Sequence, residues 1–277
     1  MSALVVRARR HPRAVVAMWL WFALSGLVLA WPAAVAVGAD FRANPGSDAP
    51  LFRPGSLDLL DYLWRAQGVA NAELGHLAIV LPLILLGAVL PLAVLLVALS
   101  GRGRLRSAPR AIGALALFEL VALALQATTL VGTAMLGGIT SSALTSSIGQ
   151  ANAAFAGFAV FALGVVVVIV VSLLRDLASA AMIAYEPGLF DAWRLGARAL
   201  TVRPFAVVGA WLWRSVLGLA AVLAAGALAS RIGGKAGLFL IGLALAHQAA
   251  LAWKVGWRAS WLAAAMRSLF LVKPPEG

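Results

Sequence analysis

Leu120–Leu174 reads LVALALQATTLVGTAMLGGITSSALTSSIGQANAAFAGFAVFALGVVVVIVVSLL and holds no charged residue. A helix crossing the roughly 30 Å hydrocarbon core of a bilayer needs about 20 mainly apolar residues. A charge-free run of 55 residues is too long for one such helix, so the chain must turn inside it. The Gly-Gly-Ile-Thr-Ser-Ser segment that begins at Gly137, extended to Asn152, has the composition of a turn. Two spans follow from it, near 111–136 and 154–174.

The same reading extends in both directions. Residues 14–39 carry no charge, 74–101 carry only His76, 204–230 only Arg214 and 236–253 only His247. These blocks predict further spans near 14–38, 76–99, 204–229 and 236–257. The fold class is therefore all-α, a polytopic transmembrane bundle of six spans in one membrane domain. Of 277 residues, 63% are hydrophobic and 12% charged. Soluble domains are nearer one quarter charged, so this chain lacks the polar surface to cover itself in water.

Orientation follows from the loops. The net charge is +12, and 16 of the 22 Lys and Arg fall on one side of the spans. They are Arg7, Arg9, Arg10 and Arg13; Arg102, Arg104, Arg106 and Arg110; Arg175, Arg194, Arg198 and Arg203; and Lys254, Arg258, Arg267 and Lys273. The alternate loops hold five, and Arg214 lies within a span. The positive-inside rule places the 16, and both termini, in the cytoplasm. Basic residues that flank apolar blocks report topology, and no nucleic-acid partner is expected. The 39–73 loop is then extracytoplasmic. The first span has the Arg-rich start and small-residue end of a signal peptide, but its apolar core exceeds the usual length, which predicts an uncleaved helix.

Three other segments are amphipathic. Ser56 is placed to cap a short helix, Leu57 to Ala66, on the outer surface. Leu189 to Val202, inside the 175–203 cytoplasmic loop, mixes Phe190, Trp193, Leu195 and Leu200 with Asp191, Arg194 and Arg198, the pattern of an interfacial helix. The sixth span is expected to run on towards Pro274. There Trp253, Trp257 and Trp261 recur every four residues beside Lys254 and Arg258. That pattern reads either as an aromatic belt with snorkelling cations or as a set of contacts for anionic lipid headgroups. The stretches Pro12–Trp21 and Pro204–Trp213 match at seven of ten positions. A shared mode of membrane entry, with proline in the first helical turn, accounts for the match.

Intramembrane polar residues supply the remaining candidates. Glu119 lies roughly 13 Å beyond Arg110, and Arg214 roughly 15 Å beyond Pro204, at about 1.5 Å per residue. His247 and Gln248 sit near the middle of span six. Glu119, Gln126 and Thr133 recur every seven residues and share one helix face. Such groups usually face a bundle interior. Glu119, Gln126, Arg214, His247 and Gln248 would line a solute or proton pathway. Alternatively, a Glu119–Arg214 pair would lock span three to span five. No catalytic constellation is expected: Ser and Thr in 139–147 have no neighbouring His or acid to activate them. Glu73-Leu74-Gly75-His76 has the spacing of a carboxylate-bridged metal site but occurs once, where such sites need it twice. No metal, cofactor or disulfide is expected, and there is no cysteine.

Arg175-Asp176-Leu177-Ala178-Ser179-Ala180-Ala181, with Gln248 and Arg258-Ala259-Ser260-Trp261-Leu262-Ala263-Ala264, resembles uncharacterised bacterial six-span membrane proteins. These include proteins akin to the membrane domain of some glycerophosphodiester phosphodiesterases. The resemblance implies a six-helix bundle of the bacterial cytoplasmic (inner) membrane, of undetermined function, and the phosphodiesterase activity does not carry over. The expected function is a structural or accessory component acting on lipids or an unknown protein partner. The alternatives are a small-solute or proton transporter and, less favoured, a lipid enzyme.

Overall fold

A computed structural model describes residues 8–40, 67–101, 108–232 and 238–272. Among these, a short 3-10 turn at Ala8–Arg10 leads into eight α-helices: α1 Pro12–Asp40, α2 Gln67–Gly87, α3 Val89–Ser100, α4 Ala108–Ile148, α5 Gln150–Tyr185, α6 Leu189–Val202, α7 Pro204–Ile232 and α8 Leu238–Val272. The short outer helix expected at Leu57–Ala66 lies outside the described residues. Six segments are long and apolar enough to cross a membrane, with α2 and α3 together making one of them. The side chains agree: Phe155 is 74% exposed, Phe205 91% and Leu238 83%. Apolar exposure on this scale is not sustained in water, and a bilayer is the solvent that covers it. The chain is a multi-pass membrane protein.

The described residues form two compact units. One gathers α4, α5, α6, the first turn of α7 and the last turns of α8; the other gathers α1–α3 and the remainder of α7 and α8.

In the first unit, α4 and α5 form an antiparallel hairpin whose turn is a single residue, Gly149, at φ 81°. That left-handed conformation favours glycine. The turn therefore falls inside the Gly137–Asn152 segment expected to hold it, with α4 running on to Ile148 and α5 beginning at Gln150. Gly137 and Gly138 do not turn the chain. A Cβ built on Gly137 would sit 2.7 Å from the carbonyl oxygen of Gly157, so these glycines bring two helix backbones into contact. Small residues serve membrane helices in this way because close approach is what strengthens packing there. At its other end α5 continues past Leu174 to Tyr185 and stops at Glu186, in the left-handed conformation. Pro187 and Gly188 separate it from α6.

Helix α6 has the bounds expected of the interfacial segment. Its buried face is Ala192, Gly196 and Ala199. Gly196 rests on α5, where a Cβ would meet the Ala178 nitrogen at 3.1 Å and Leu177 Cβ at 3.2 Å. Trp193 packs edge-on against Phe118 of α4 with ring centroids 5.8 Å apart. The opposite face exposes Phe190, Arg194 and Arg198.

In the second unit α1 packs against α2 and α3. The α2–α3 break is slight. Ala88 keeps helical dihedrals, and the bonds from Ala88 N–H to the Ile84 carbonyl and from Leu92 N–H to the Ala88 carbonyl continue the ladder. Pro91 has no N–H and so cannot bond the Gly87 carbonyl. Trp21 of α1 fills the space beside Gly87 that a side chain there would need. Pro12 and Pro204 both open a helix, in agreement with the shared entry read from the repeated stretch.

Candidate functional site

The heptad stripe on α4 faces α5. Glu119 Oε1 lies 2.9 Å from Nη1 of Arg175. Seven residues on, Gln126 Nε2 donates to Ser172 Oγ at 2.8 Å. Seven further, Thr133 occupies the space beside Gly164 and returns its hydroxyl proton to the Thr129 carbonyl at 2.7 Å. The Gly137–Gly157 contact completes the row. The stripe is thus one seam between two antiparallel helices, graded from charged to amide to hydroxyl to bare backbone.

The charged end of the seam is a buried network. Arg175 also reaches Asp176 Oδ1, from Nη2 at 3.1 Å and from Nε at 3.3 Å. The Glu119 residue is 7% exposed and Asp176 1%. Both carboxylates have further interactions. A guanidinium is suited to this position because its planar fork offers donors in two directions at once.

Arg214 belongs to the second unit and has partners there. Its Nε donates to Ser260 Oγ at 3.0 Å and its Nη1 to the Ala210 carbonyl at 2.6 Å, while its guanidinium carbon lies 4.2 Å from the centre of the Trp213 ring. The Glu119 carboxylate is bonded to Arg175, inside its own hairpin. Arg175, which follows the span expected to end at Leu174, lies within α5, which continues to Tyr185. His247 is exposed and donates Nδ1–H to the Leu243 carbonyl of its own helix at 2.9 Å. Gln248 is half-buried, and its Oε1 is buried with no hydrogen-bond partner among the described residues.

The basic-aromatic stretch of α8 meets α7 through side chains. Trp257 stacks edge-on with Trp213 at 4.9 Å and with Trp253 at 5.7 Å. The Trp253 indole N–H donates to the Leu217 carbonyl at 3.1 Å. Trp261 is 2% exposed, which no lipid-facing belt residue would be. Between the helices is a cavity of about 140 Å³. Arg214, Lys254 and Arg258 line it together with Ser215, Trp257 and Trp261. Gly218 forms its wall beside Lys254, whose Cγ is 3.5 Å from where a Cβ would stand. The cavity therefore joins Arg214 to the cations singled out at the end of span six. Arg175, Asp176, Ser172, Ser215 and Ser260 were not among the expected site residues.

No protein-family model, curated protein or solved structure matches the chain.

Proposed function

We propose that this protein is a structural or accessory component of the bacterial cytoplasmic membrane, with both termini on the cytoplasmic side, acting on lipids or on a protein partner. The observation that carries the reading is the closed seam between α4 and α5. Glu119 and Gln126, the polar groups best placed for a transport pathway, each have a partner on the adjoining helix. A carboxylate held by a guanidinium needs no substrate to neutralise it, and ion pairs of this kind commonly specify packing. The orientation is supported by the asymmetry of Arg and Lys between alternate loops.

The test is flux. Purified protein in liposomes should pass neither protons nor a panel of small solutes faster than protein-free vesicles. Solute-dependent flux that is abolished by Glu119→Ala would overturn the accessory reading and favour a transporter.

A further inference from the structure

We infer that the face of α8 bearing His247 and Gln248 is the contact between two copies of this chain in the membrane. The inference goes beyond the accessory reading and does not depend on it. His247 is exposed and lies on α8 nine residues after Leu238. At about 1.5 Å per residue it stands roughly 14 Å into a hydrocarbon core of about 30 Å, near its middle. Its Nδ1–H is donated to the Leu243 carbonyl at 2.9 Å, so the neutral ring keeps Nε2 as an open acceptor. The surface around it faces lipid: Leu240 is 49% exposed, Ile241 58% and Leu245 65%. Lipid at that depth supplies no hydrogen bonds, and polar side chains there pair with one another. Gln248, the next residue, has an Oε1 that is buried without a hydrogen-bond partner among the described residues. No such bond anchors that oxygen inward, so the amide can turn outward.

The chemistry selects a second copy as the occupant. An imidazole acceptor and an amide donor are the two halves of one bond, and this chain carries both side by side. Copies inserted in the same orientation hold their α8 helices parallel, with equal residues at equal depth. About a twofold axis along the membrane normal, Gln248 of each copy meets His247 of the other, offset by only about 1.5 Å in height. The Gln248 amide then donates to Nε2 of His247 in the second copy, and its oxygen accepts from the Gln248 amide there. The apolar positions fit the same axis. Leu240, Ala244, His247 and Leu251 are spaced four, three and four apart, the repeat of a left-handed helix pair. Ala244 is exposed and small, which lets the two backbones approach. Beyond Leu251 the same side of the helix is already covered, with Val255 2% and Ala259 0% exposed. The contact is thus confined to the first turns of α8.

The experiment is sedimentation equilibrium of the full-length protein in density-matched detergent. The wild type should show a monomer–dimer equilibrium. His247→Leu and Gln248→Leu should each weaken the dimer by roughly tenfold, the scale of two lost hydrogen bonds between membrane helices. The double variant should be no weaker than Gln248→Leu alone, because every bond from His247 to the second copy ends on Gln248. Leu245→Ala, exposed on another side of α8, should leave the equilibrium unchanged. The chain has no cysteine, so single-cysteine variants report the geometry directly. In liposomes, Ala244→Cys should cross-link to its own copy with a short bismaleimide, and Ala249→Cys, on the far side of the helix, should not. That pair of variants carries the test if a Leu variant fails to fold. A protein that sediments as a monomer at every concentration overturns the interface, and so does a dimer indifferent to both Leu substitutions. A monomer whose solute flux is abolished by His247→Leu overturns it as well and assigns these side chains to a solvated pathway. Flux through a dimeric wild type would overturn the accessory reading and leave this contact standing.

Discussion

Arg175 lies 2.9 Å from Glu119, a residue 56 positions earlier in the chain, and simultaneously 3.1 Å from its neighbour Asp176. One guanidinium thus stands between two buried carboxylates. The two ends of the ion pair are therefore not equivalent. Arg175→Gln removes the guanidinium from both carboxylates at once and should cost about 3–5 kcal/mol, the scale for breaking a buried ion pair. Glu119→Gln leaves Arg175 paired with Asp176 and should cost about 1–2 kcal/mol, the scale of one charge-assisted hydrogen bond. Thermal unfolding of the purified protein in detergent should rank Arg175→Gln well below Glu119→Gln. Equal losses would show that Asp176 does not share the guanidinium.

The next step of the seam should be weaker. A double-mutant cycle with Gln126→Leu and Ser172→Ala should return a coupling near 0.6 kcal/mol and below about 1.7, the range for hydrogen bonds between membrane helices. A coupling of zero would remove that bond from the seam.

At the glycine end the determinant is space. The chain has no cysteine, so a Gln126→Cys, Ser172→Cys pair can report the approach of α4 to α5 without background. A short bismaleimide should cross-link that pair, and Gly157→Leu should suppress the cross-link by holding the helices apart. Undiminished cross-linking with Leu at 157 would contradict the backbone contact with Gly137.

Arg214 is bound by geometry as well as charge. Lys keeps the charge but lacks the fork that reaches Ser260 and the Ala210 carbonyl together. Arg214→Lys should lower stability by about 1–2 kcal/mol, and Ser260→Ala by about 1 kcal/mol, in denaturant unfolding. If Arg214→Lys were neutral, the residue would be acting as a point charge.

Much of this architecture was legible from charge alone. A helical bundle, six spans and the bounds of α6 follow from where Arg, Asp and Glu are missing and where they return. The Gly137–Asn152 segment does hold the turn, but glycine carries two meanings in a membrane helix, and composition cannot say which glycine makes it. Gly137 marks a close contact, and Gly149 marks the reversal. The charges could have separated the two. Glu119 and Arg175 bracket the charge-free run, and opposite charges at the feet of a symmetric hairpin put its turn at their midpoint, (119 + 175)/2 = 147, two residues from Gly149. The partner of Glu119 was missed for the same reason, since a span ended at Leu174 leaves Arg175 in a loop. The cavity was half visible. Lys254, Arg258 and the tryptophans stood out on α8, whereas the contributions of Arg214, Ser215 and Gly218 depend on how α7 is rotated.

The hairpin turn at Gly149 bears on how the protein enters the bilayer. Transferring one elementary charge through the membrane potential involves about 2.3 kcal/mol per 100 mV. Between Glu119 and Arg175 there is no charge to transfer. Both arms and the loop can be threaded through the lipid during synthesis without electrical work, while the ionic residues stay on the side from which they came. The electric field therefore neither helps nor hinders this hairpin. Its insertion should proceed unchanged in cells whose proton-motive force has been collapsed.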